Sequence, residues 1–197
     1  MTGKTDYFGT VVIPLYNERE SLAELYRQLT TVMERTFAGH ELIFVDDGST
    51  DGSVDVLREL RLGDRRVKII SFRRNYGKSA ALSDAFKAAR GDIVVTIDAD
   101  LQDNPEEIPG LVARLEEGFD LVSGWKLNRK DPFTKTLPSL LFNATTSLVS
   151  GIKLHDFNCG LKAYRGEVVK RVSIYGELHR FIPVIAGWEG FRVTEKR

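Results

Sequence analysis

The fold of this chain is decided by residues 93–102, which read IVVTIDADLQ. The apolar, largely β-branched run Ile93–Ile97 is typical of a buried parallel strand. Asp98, Asp100 and Gln102 follow at once, at spacings of two residues, where the strand ends. Open α/β sheets bind ligands at this end, and oxygen ligands suit Mg²⁺ or Mn²⁺. The stretch therefore predicts a divalent-cation site, although an ordinary surface turn containing Asp would look the same.

Strand-like and helix-like segments alternate on both sides of this stretch. The predicted strands are Gly9–Ile13, Glu41–Val45, Val67–Phe72, Ile93–Ile97 and Phe119–Ser123. The predicted helices are Leu22–Met33, Val54–Leu60, Ser79–Ala89 and one that Asn104 and Pro105 begin and Gly118 ends. This β-α-β rhythm predicts an α/β fold, with a mostly parallel twisted sheet and helices on both faces.

The rhythm breaks after Gly124. Beyond a polar, basic stretch we expect an amphipathic helix over Thr134–Ser150, a strand over Phe157–Tyr164 that runs back across the site, and a last strand at Thr194–Arg197. The sequence contains no repeat and no linker. We therefore predict a single domain over residues 1–197, with a first half of about 1–124 and a second half, of about 125–197, that adds a small antiparallel portion to the sheet.

Charge is balanced overall but unevenly placed. The 28 basic and 28 acidic residues cancel, which argues against nucleic-acid binding through bulk charge. Residues 98–107 hold five acids and no base, whereas residues 61–78 hold seven basic residues: Arg61, Arg65, Arg66, Lys68, Arg73, Arg74 and Lys78. A basic loop near an acidic strand end suits an anion held partly by side chains and partly by a metal.

Cysteine content and hydropathy indicate the kind of cellular compartment in which this chain is expected. Cys159 is the only cysteine, so no internal disulfide can form, and we expect it to be a small buried side chain in a reducing compartment. The N-terminus lacks the apolar core of a signal peptide, and no run approaches the roughly 20 apolar residues of a membrane span.

Three predicted strand ends carry polar motifs. They read PLYNE at residues 14–18, DDGST at 46–50 and DADLQ at 98–102. Parallel strands place their carboxyl ends at one edge, so we expect these motifs to converge there. Carboxylates at that edge can accept hydrogen bonds from a ribose or from a base.

These motifs resemble known ones. VIPLYNE (12–18), VDDGSTD (45–51) and DADLQ (98–102) resemble family-2 glycosyltransferases, which have a GT-A fold. RNYGKSAAL (74–82), DFNCGLKAYR (156–165) and LHRFIP (178–183) resemble the polyprenyl-phosphate sugar transferases of that family, which include dolichyl-phosphate mannose synthase and undecaprenyl-phosphate glucosyltransferases. The resemblance runs from about Thr10 to Arg197.

The resemblance implies a role for particular residues. Pro14, Tyr16, Glu18, Asp46, Gly77, Lys78 and Asp98 would bind the nucleotide sugar, and Asp98, Asp100 and Gln102 would hold Mg²⁺ or Mn²⁺. Lys126, Arg129, Lys135, Ser139, His179 and Arg180 would meet the acceptor phosphate. Asp100, Asp156 and Lys126 would be catalytic. Two alternatives stay open, since the basic residues after Gly124 could form a solvated loop and Asp156 could cap a turn.

The implied activity is inverting, metal-dependent transfer of a hexose from a nucleotide-diphosphate sugar to a polyprenyl phosphate. UDP-glucose is favoured as donor and GDP-mannose comes next. We expect the protein at the cytoplasmic face of the cell membrane, without a nucleic-acid partner, and the sequence leaves oligomer formation open. Relatives continue into a further loop and membrane helices, and we expect this chain to lack them.

Three other functions would explain part of the sequence. A P-loop NTPase is rejected because Phe72 stands where the phosphate loop preceding Gly77-Lys78-Ser79 needs its first glycine. A family-2 transferase with a saccharide acceptor and a non-catalytic sugar-nucleotide-binding scaffold both stay open. The presence of all three predicted metal ligands, Asp98, Asp100 and Gln102, disfavours the scaffold.

Overall fold

The computed structural model describes residues 4–125, 146–147 and 150–196. The strands are β1 (Thr5–Leu15), β2 (Phe37–Asp46), β3 (Val67–Ser71), β4 (Ile93–Thr96), β5 (Leu121–Gly124), β6 (Lys162–Arg165) and β7 (Val193–Lys196). The α-helices are α1 (Leu22–Thr36), α2 (Ser53–Gly63), α3 (Lys78–Ala88), α4 (Ile108–Glu116), α5 (Gly166–Arg171) and α6 (Ile182–Trp188). Pro105–Glu107 and Leu178–Phe181 form 3₁₀ turns.

The seven strands form one sheet in the order β3-β2-β1-β4-β6-β5-β7. All neighbouring pairs are parallel except the two that β6 makes with β4 and β5. Lys162, the first residue of β6, is paired with Thr96 on one side and Ser123 on the other. The prediction of a mostly parallel sheet with a small antiparallel part is confirmed.

Apolar residues of the central strand β1 pack on both faces of the sheet. Val11 and Ile13 join the core under α1 and α4, whereas Val12 joins the core under α3 and α5. All three side chains are fully buried. The alternation explains why a central strand is apolar at every position, since helices cover both faces.

The strand order changes direction at β1. From β1 the chain proceeds to β2 and β3 on one side of the sheet, and β4 then pairs with the other side of β1. At such a switch point the connections leave in opposite directions, which opens a crevice between the carboxyl ends of the two strands. The topology therefore brings Pro14–Glu18 and Asp98–Asp100 to one crevice.

The predicted helix start at Asn104 is confirmed, with a different first turn. The Asn104 side chain accepts a hydrogen bond from the Glu106 N–H at 3.1 Å, and the chain makes a 3₁₀ turn before α4 begins at Ile108. Gly118, with φ of 102°, follows the end of the helix. None of the helices in the described part of the chain combines the length and apolarity needed to cross a bilayer.

The predicted strand Phe157–Tyr164 is wrong in its first half, because β6 begins only at Lys162. The Asp156 carboxylate accepts a bond from the Asn158 N–H at 2.9 Å, which bends the chain into a turn. Gly160 then packs on Asp98, so closely that a Cβ there would lie 2.5 Å from the carboxylate. The predicted last strand is confirmed as β7, and the predicted helix Thr134–Ser150 lies outside the described residues except for residues 146, 147 and 150, which are helical.

Candidate active site

A cavity of about 320 Å³ lies at the carboxyl ends of β1 and β4. We call it the acidic cavity, because four carboxylates and one lysine line it: Glu18, Asp47, Asp98, Asp100 and Lys78. Pro14, Tyr16 and Gly77 complete the predicted residues found there. The structure thus brings together six of the seven residues predicted to bind a nucleotide sugar, all but Asp46.

An ion pair forms one wall of this cavity. Lys78 is the first residue of α3, and its Nζ lies 2.5 Å from Oδ1 of Asp98, just beyond β4. Each side chain keeps about a third of its surface exposed, at 34% and 32%. Both partners therefore stay accessible to a ligand.

The carboxylates of the acidic cavity repel one another. Burial raises the pKa of Glu18, and the Asp100 carboxylate raises it further, with smaller effects from Asp51 and Asp98. Such a cluster of like charges is stabilised by a cation. The described residues contain no group of three or more His, Cys, Asp or Glu that could hold a metal alone. The donor set fits Mg²⁺ or Mn²⁺ bound by one or two carboxylates, with ligand phosphates completing the shell.

Asp47, which the sequence did not single out, holds the loop before α3. Its carboxylate accepts bonds from the backbone N–H groups of Tyr76 at 2.7 Å and Gly77 at 2.8 Å. Gly77 has φ of 92°, a conformation that favours glycine. Asp47 thereby fixes the start of the helix that carries Lys78. The sequence signal for this role is the pair of consecutive Asp residues at the end of a strand. Neighbouring side chains of a strand point to opposite faces, so Asp46 and Asp47 are expected to have different surroundings.

The structure gives Asp46 a different environment from the predicted one. Its side chain is 1% exposed and accepts bonds from the Ser49 N–H at 3.0 Å and the Ser71 hydroxyl at 3.1 Å. One oxygen thus holds the turn after β2 and the other bonds to the end of β3, and Asp46 does not line the acidic cavity. A nucleoside contact by Asp46 stays a prediction that this geometry does not favour.

Gln102 is separated from the two acids that precede it. Leu101 has φ of 61°, which is unusual for a branched side chain, and the Asp100 carboxylate accepts a bond from the Gln102 N–H at 3.1 Å. The chain turns at Leu101, and Gln102 then lines a different cavity, of about 240 Å³, together with Asp103 and Asn104. Asp98 and Asp100 share the acidic cavity, whereas a metal contact by Gln102 stays a prediction.

A second cavity, of about 270 Å³, adjoins the acidic cavity at Lys78 and Asp98. We call it the basic cavity, because Lys162, His179 and Arg180 line it together with Lys78. Pro14, Lys78 and Asp98 line both cavities. His179 and Arg180 therefore lie beside the acidic cavity, and their contact with an acceptor phosphate stays a prediction. Lys162 is a residue that sequence reasoning missed.

His179 is held by α3. The Ser79 hydroxyl accepts a bond from the His179 backbone N–H at 3.1 Å and lies 3.0 Å from its Nδ1. Burial lowers the pKa of His179, and the Lys78 ammonium lowers it further. These effects favour a neutral imidazole near neutral pH, whereas Arg180 is exposed and carries its charge to the cavity mouth.

Asp156, which the resemblance predicts to be catalytic, and Cys159 are both buried. Asp156 is 2% exposed, holds the turn to Asn158 and does not line the basic cavity, which supports the turn-capping alternative. Burial raises the pKa of the Cys159 thiol to about 11, so it does not act as a thiolate at neutral pH. Lys126, Arg129, Lys135 and Ser139 lie outside the described residues.

The expected basic loop is not one surface. Its residues are spread over α2, the turn between α2 and β3, β3, the loop before α3 and the first residue of α3. Arg66 pairs with Glu34 and Asp64, and Lys68 pairs with the buried Glu41. Among the seven, Lys78 is the residue that lines the acidic and basic cavities.

Comparison with known proteins agrees with this geometry. The family model "Glycosyl transferase family 2" matches residues 10–173. The chain is 40% identical over 189 residues to undecaprenyl-phosphate 4-deoxy-4-formamido-L-arabinose transferase of Pseudomonas syringae, covering 95% of this chain and 56% of that protein. It is 39% identical over 182 residues to dodecaprenyl-phosphate galacturonate synthase of Rhizobium johnstonii, covering 90% and 54%. The chain thus spans little more than half the length of these relatives.

Solved structures share the fold at lower identity. A mannosyltransferase from Pyrobaculum calidifontis, in complex with GDP-Man and Mn²⁺, superposes with a TM-score of 0.72 at 22% identity, covering 99% of this chain and 56% of that one. Glucosyl-3-phosphoglycerate synthase from Mycobacterium tuberculosis, with Mn²⁺ and UDP-glucose, gives 0.71 at 24% identity, covering 96% and 68%. The expected GT-A fold is confirmed. The match to the family model over most of the chain shows that this protein belongs to glycosyl transferase family 2.

Proposed function

We propose that this protein transfers a sugar from a nucleotide-diphosphate sugar to the phosphate of a polyprenyl phosphate, with inversion at the anomeric carbon. The observation that carries the proposal is the meeting of the acidic and basic cavities at Lys78 and Asp98. A donor held in the acidic cavity would present its diphosphate at this wall, and an anionic acceptor would approach from the cations beyond it. The names of the two relatives, both polyprenyl-phosphate sugar transferases, support this acceptor.

The reaction follows from the charges of the two ligands. An oxygen of the acceptor phosphate attacks the anomeric carbon and forms a new carbon–oxygen bond. The bond from that carbon to the donor's β-phosphate oxygen breaks, and its electron pair leaves with the nucleoside diphosphate. A phosphate is already anionic at neutral pH, so no strong general base is needed. A single displacement of this kind inverts the anomeric centre.

Charge on the leaving diphosphate would be offset from two sides. Lys78 faces it as a fixed cation, and Asp98 and Asp100 would hold Mg²⁺ or Mn²⁺, which neutralises diphosphate charge as a Lewis acid. Two observations support the metal. The carboxylates of the acidic cavity repel one another, and two structural neighbours were solved with Mn²⁺. We place the reaction at the cytoplasmic face of the membrane, where the lipid acceptor would lie.

UDP-glucose remains the favoured donor and GDP-mannose the second. The sugars in the relatives' names, formamido-arabinose and galacturonate, are additional candidates.

The test is calorimetric binding of UDP, GDP, UDP-glucose and GDP-mannose, each with Mn²⁺ and with EDTA. We expect one nucleotide class to bind only with metal, and Asp100→Asn to lose that binding by about tenfold or more. Asp84→Asn, an exposed acid on α3, is the matched control and should bind as wild type. Metal-dependent binding that survives in folded Asp100→Asn would contradict the role of Asp100.

A sugar-transfer assay separates the alternatives. Sugar transfer to a saccharide but not to a polyprenyl phosphate would favour the saccharide-acceptor alternative, and nucleotide binding without any transfer would favour the scaffold.

A further inference from the structure

Lys162 is a buried lysine with a single hydrogen-bond acceptor in the described part of the chain. It lies at the start of β6, between β4 and β5, and is 4% exposed. Its ammonium donates to the Cys159 carbonyl. The described part of the chain offers it no second acceptor and no ion pair. An ammonium has three N–H donors, so two of them are unsatisfied by these residues.

Lys170, an exposed lysine, shows what a fully hydrogen-bonded ammonium looks like in this protein. Its ammonium donates to three backbone carbonyls near the end of α3, those of Phe86 at 2.7 Å, Lys87 at 3.0 Å and Ala89 at 2.7 Å. All three donors are used, and Lys170 lines neither the acidic nor the basic cavity. Lys162 differs on both counts, because it keeps two donors and faces a cavity.

The charges around Lys162 favour an anion. Burial lowers the pKa of its ammonium, and the nearby Lys78 adds to this effect, whereas Asp156 and Asp98 oppose it. Lys78, Lys162 and Arg180 line the basic cavity, against the single carboxylate of Asp98, which Lys78 already pairs. Burying an ammonium without a carboxylate is costly, and an entering anion would offset that cost.

We propose that the basic cavity binds an oxyanion, a phosphate or a carboxylate, and that Lys162 is its buried contact. The proposal rests on the proposed function for the source of the anion. The terminal phosphate of the lipid acceptor is one source. A carboxylate on the transferred sugar is the other, because the donor's sugar would cross the wall at Lys78 and Asp98 into this cavity.

The experiment measures calorimetric binding of inorganic phosphate to the whole chain, at constant ionic strength, without nucleotide or metal. We expect wild type and Lys170→Met to bind phosphate equally. Lys162→Met should bind it about tenfold more weakly or worse, because charge-assisted hydrogen bonds are lost. Arg180→Met, at the exposed mouth, should also weaken binding and is expected to fold normally even if Lys162→Met does not.

Competition then identifies the source. Displacement of phosphate by farnesyl phosphate assigns the anion to the lipid acceptor, and displacement by glucuronate but not by glucose assigns it to an acidic sugar. Failure of wild type to bind phosphate, or equal binding by folded Lys162→Met, would overturn the proposal. Displacement by neither competitor would overturn its link to a substrate. Phosphate binding without metal-dependent nucleotide binding would instead count against the proposed function alone.

Discussion

At the scale of single residues, Glu18 shows that the acidic cavity lowers the stability of the folded protein at neutral pH. Its folded-state pKa is raised above 4.5, by burial first and then by Asp100. A carboxyl whose pKa is higher when folded favours folding only while protonated. This contribution is fully present below pH 4.5 and is lost as pH rises through the folded pKa.

We therefore predict that Glu18→Gln unfolds at a higher temperature than wild type at pH 7, and that the difference shrinks as pH falls to about 4. Scanning calorimetry without metal at both pH values measures this. Glu20→Gln, an exposed acid two residues along, serves as the control and should show no such pH dependence. A Glu18→Gln protein that is less stable than wild type at pH 7 would show that the repulsion is not the dominant effect.

Single residues also show where sequence reasoning succeeds and fails. Lys78, Asp98 and Asp100 could be predicted, because each follows directly from a motif at the end of a strand or the start of a helix. Asp46 and Asp47 could not be distinguished, since the orientation of the last side chain depends on the turn that follows. Lys162 could not be predicted, because its position in the basic cavity depends on pairing between distant strands.

At the scale of elements, the turn after β2 organises the helix that carries Lys78. The Asp47 carboxylate accepts hydrogen bonds from the two backbone N–H groups that precede α3. Gly48, which has no side chain, lets the backbone of Arg74 pack against the turn. A Cβ at Gly48 would lie 2.5 Å from the carbonyl carbon of Arg74. The turn and the loop are thus one structural unit, although Arg74 lies 26 positions after Gly48 in the sequence.

Loss of Asp47 should therefore affect both stability and binding. We predict that Asp47→Ala loses about 1–3 kcal/mol of unfolding free energy, because two backbone donors lose a charged acceptor. Its nucleotide affinity should fall as well, since Lys78 is no longer held in place. Denaturant unfolding and calorimetry measure the two effects. Asp55→Ala, which removes an exposed acid on α2, is the control, and an Asp47→Ala protein that matches it would refute the prediction.

Element boundaries were predicted well where local signals exist. The Asn104-Pro105 helix start and the apolar run of β4 needed no knowledge of distant residues. The segment before β6 was misread because its residues bend around Asp98, and nothing in residues 157–161 shows what lies across from them. Antiparallel insertion of β6 between β4 and β5 is likewise a long-range property.

At the scale of the molecule, the sheet is built around β1. This strand has 11 residues, pairs on both edges and is buried on both faces, whereas β7 has four residues, pairs with β5 and is only half-buried. Backbone hydrogen bonds open most easily where few apolar contacts cover them. The stability of the sheet should therefore fall from its centre towards β7.

Hydrogen exchange followed by mass spectrometry tests this gradient. We predict that amides of Val11, Val12 and Ile13 exchange only through global unfolding, whereas those of β7 exchange much faster through local opening. Equal protection of the two strands would show that β7 unfolds together with the centre of the sheet.

The shared wall of Lys78 and Asp98 has a thermodynamic consequence. An anion in the basic cavity and a diphosphate in the acidic cavity would both interact with the same two side chains, so the affinity of each ligand would depend on the presence of the other. Such coupling is reciprocal, because the factor by which the first ligand changes the affinity of the second equals the factor in the opposite direction. The affinity for one substrate would then depend on whether the other is bound. This coupling would require no conformational change beyond a rearrangement of one ion pair.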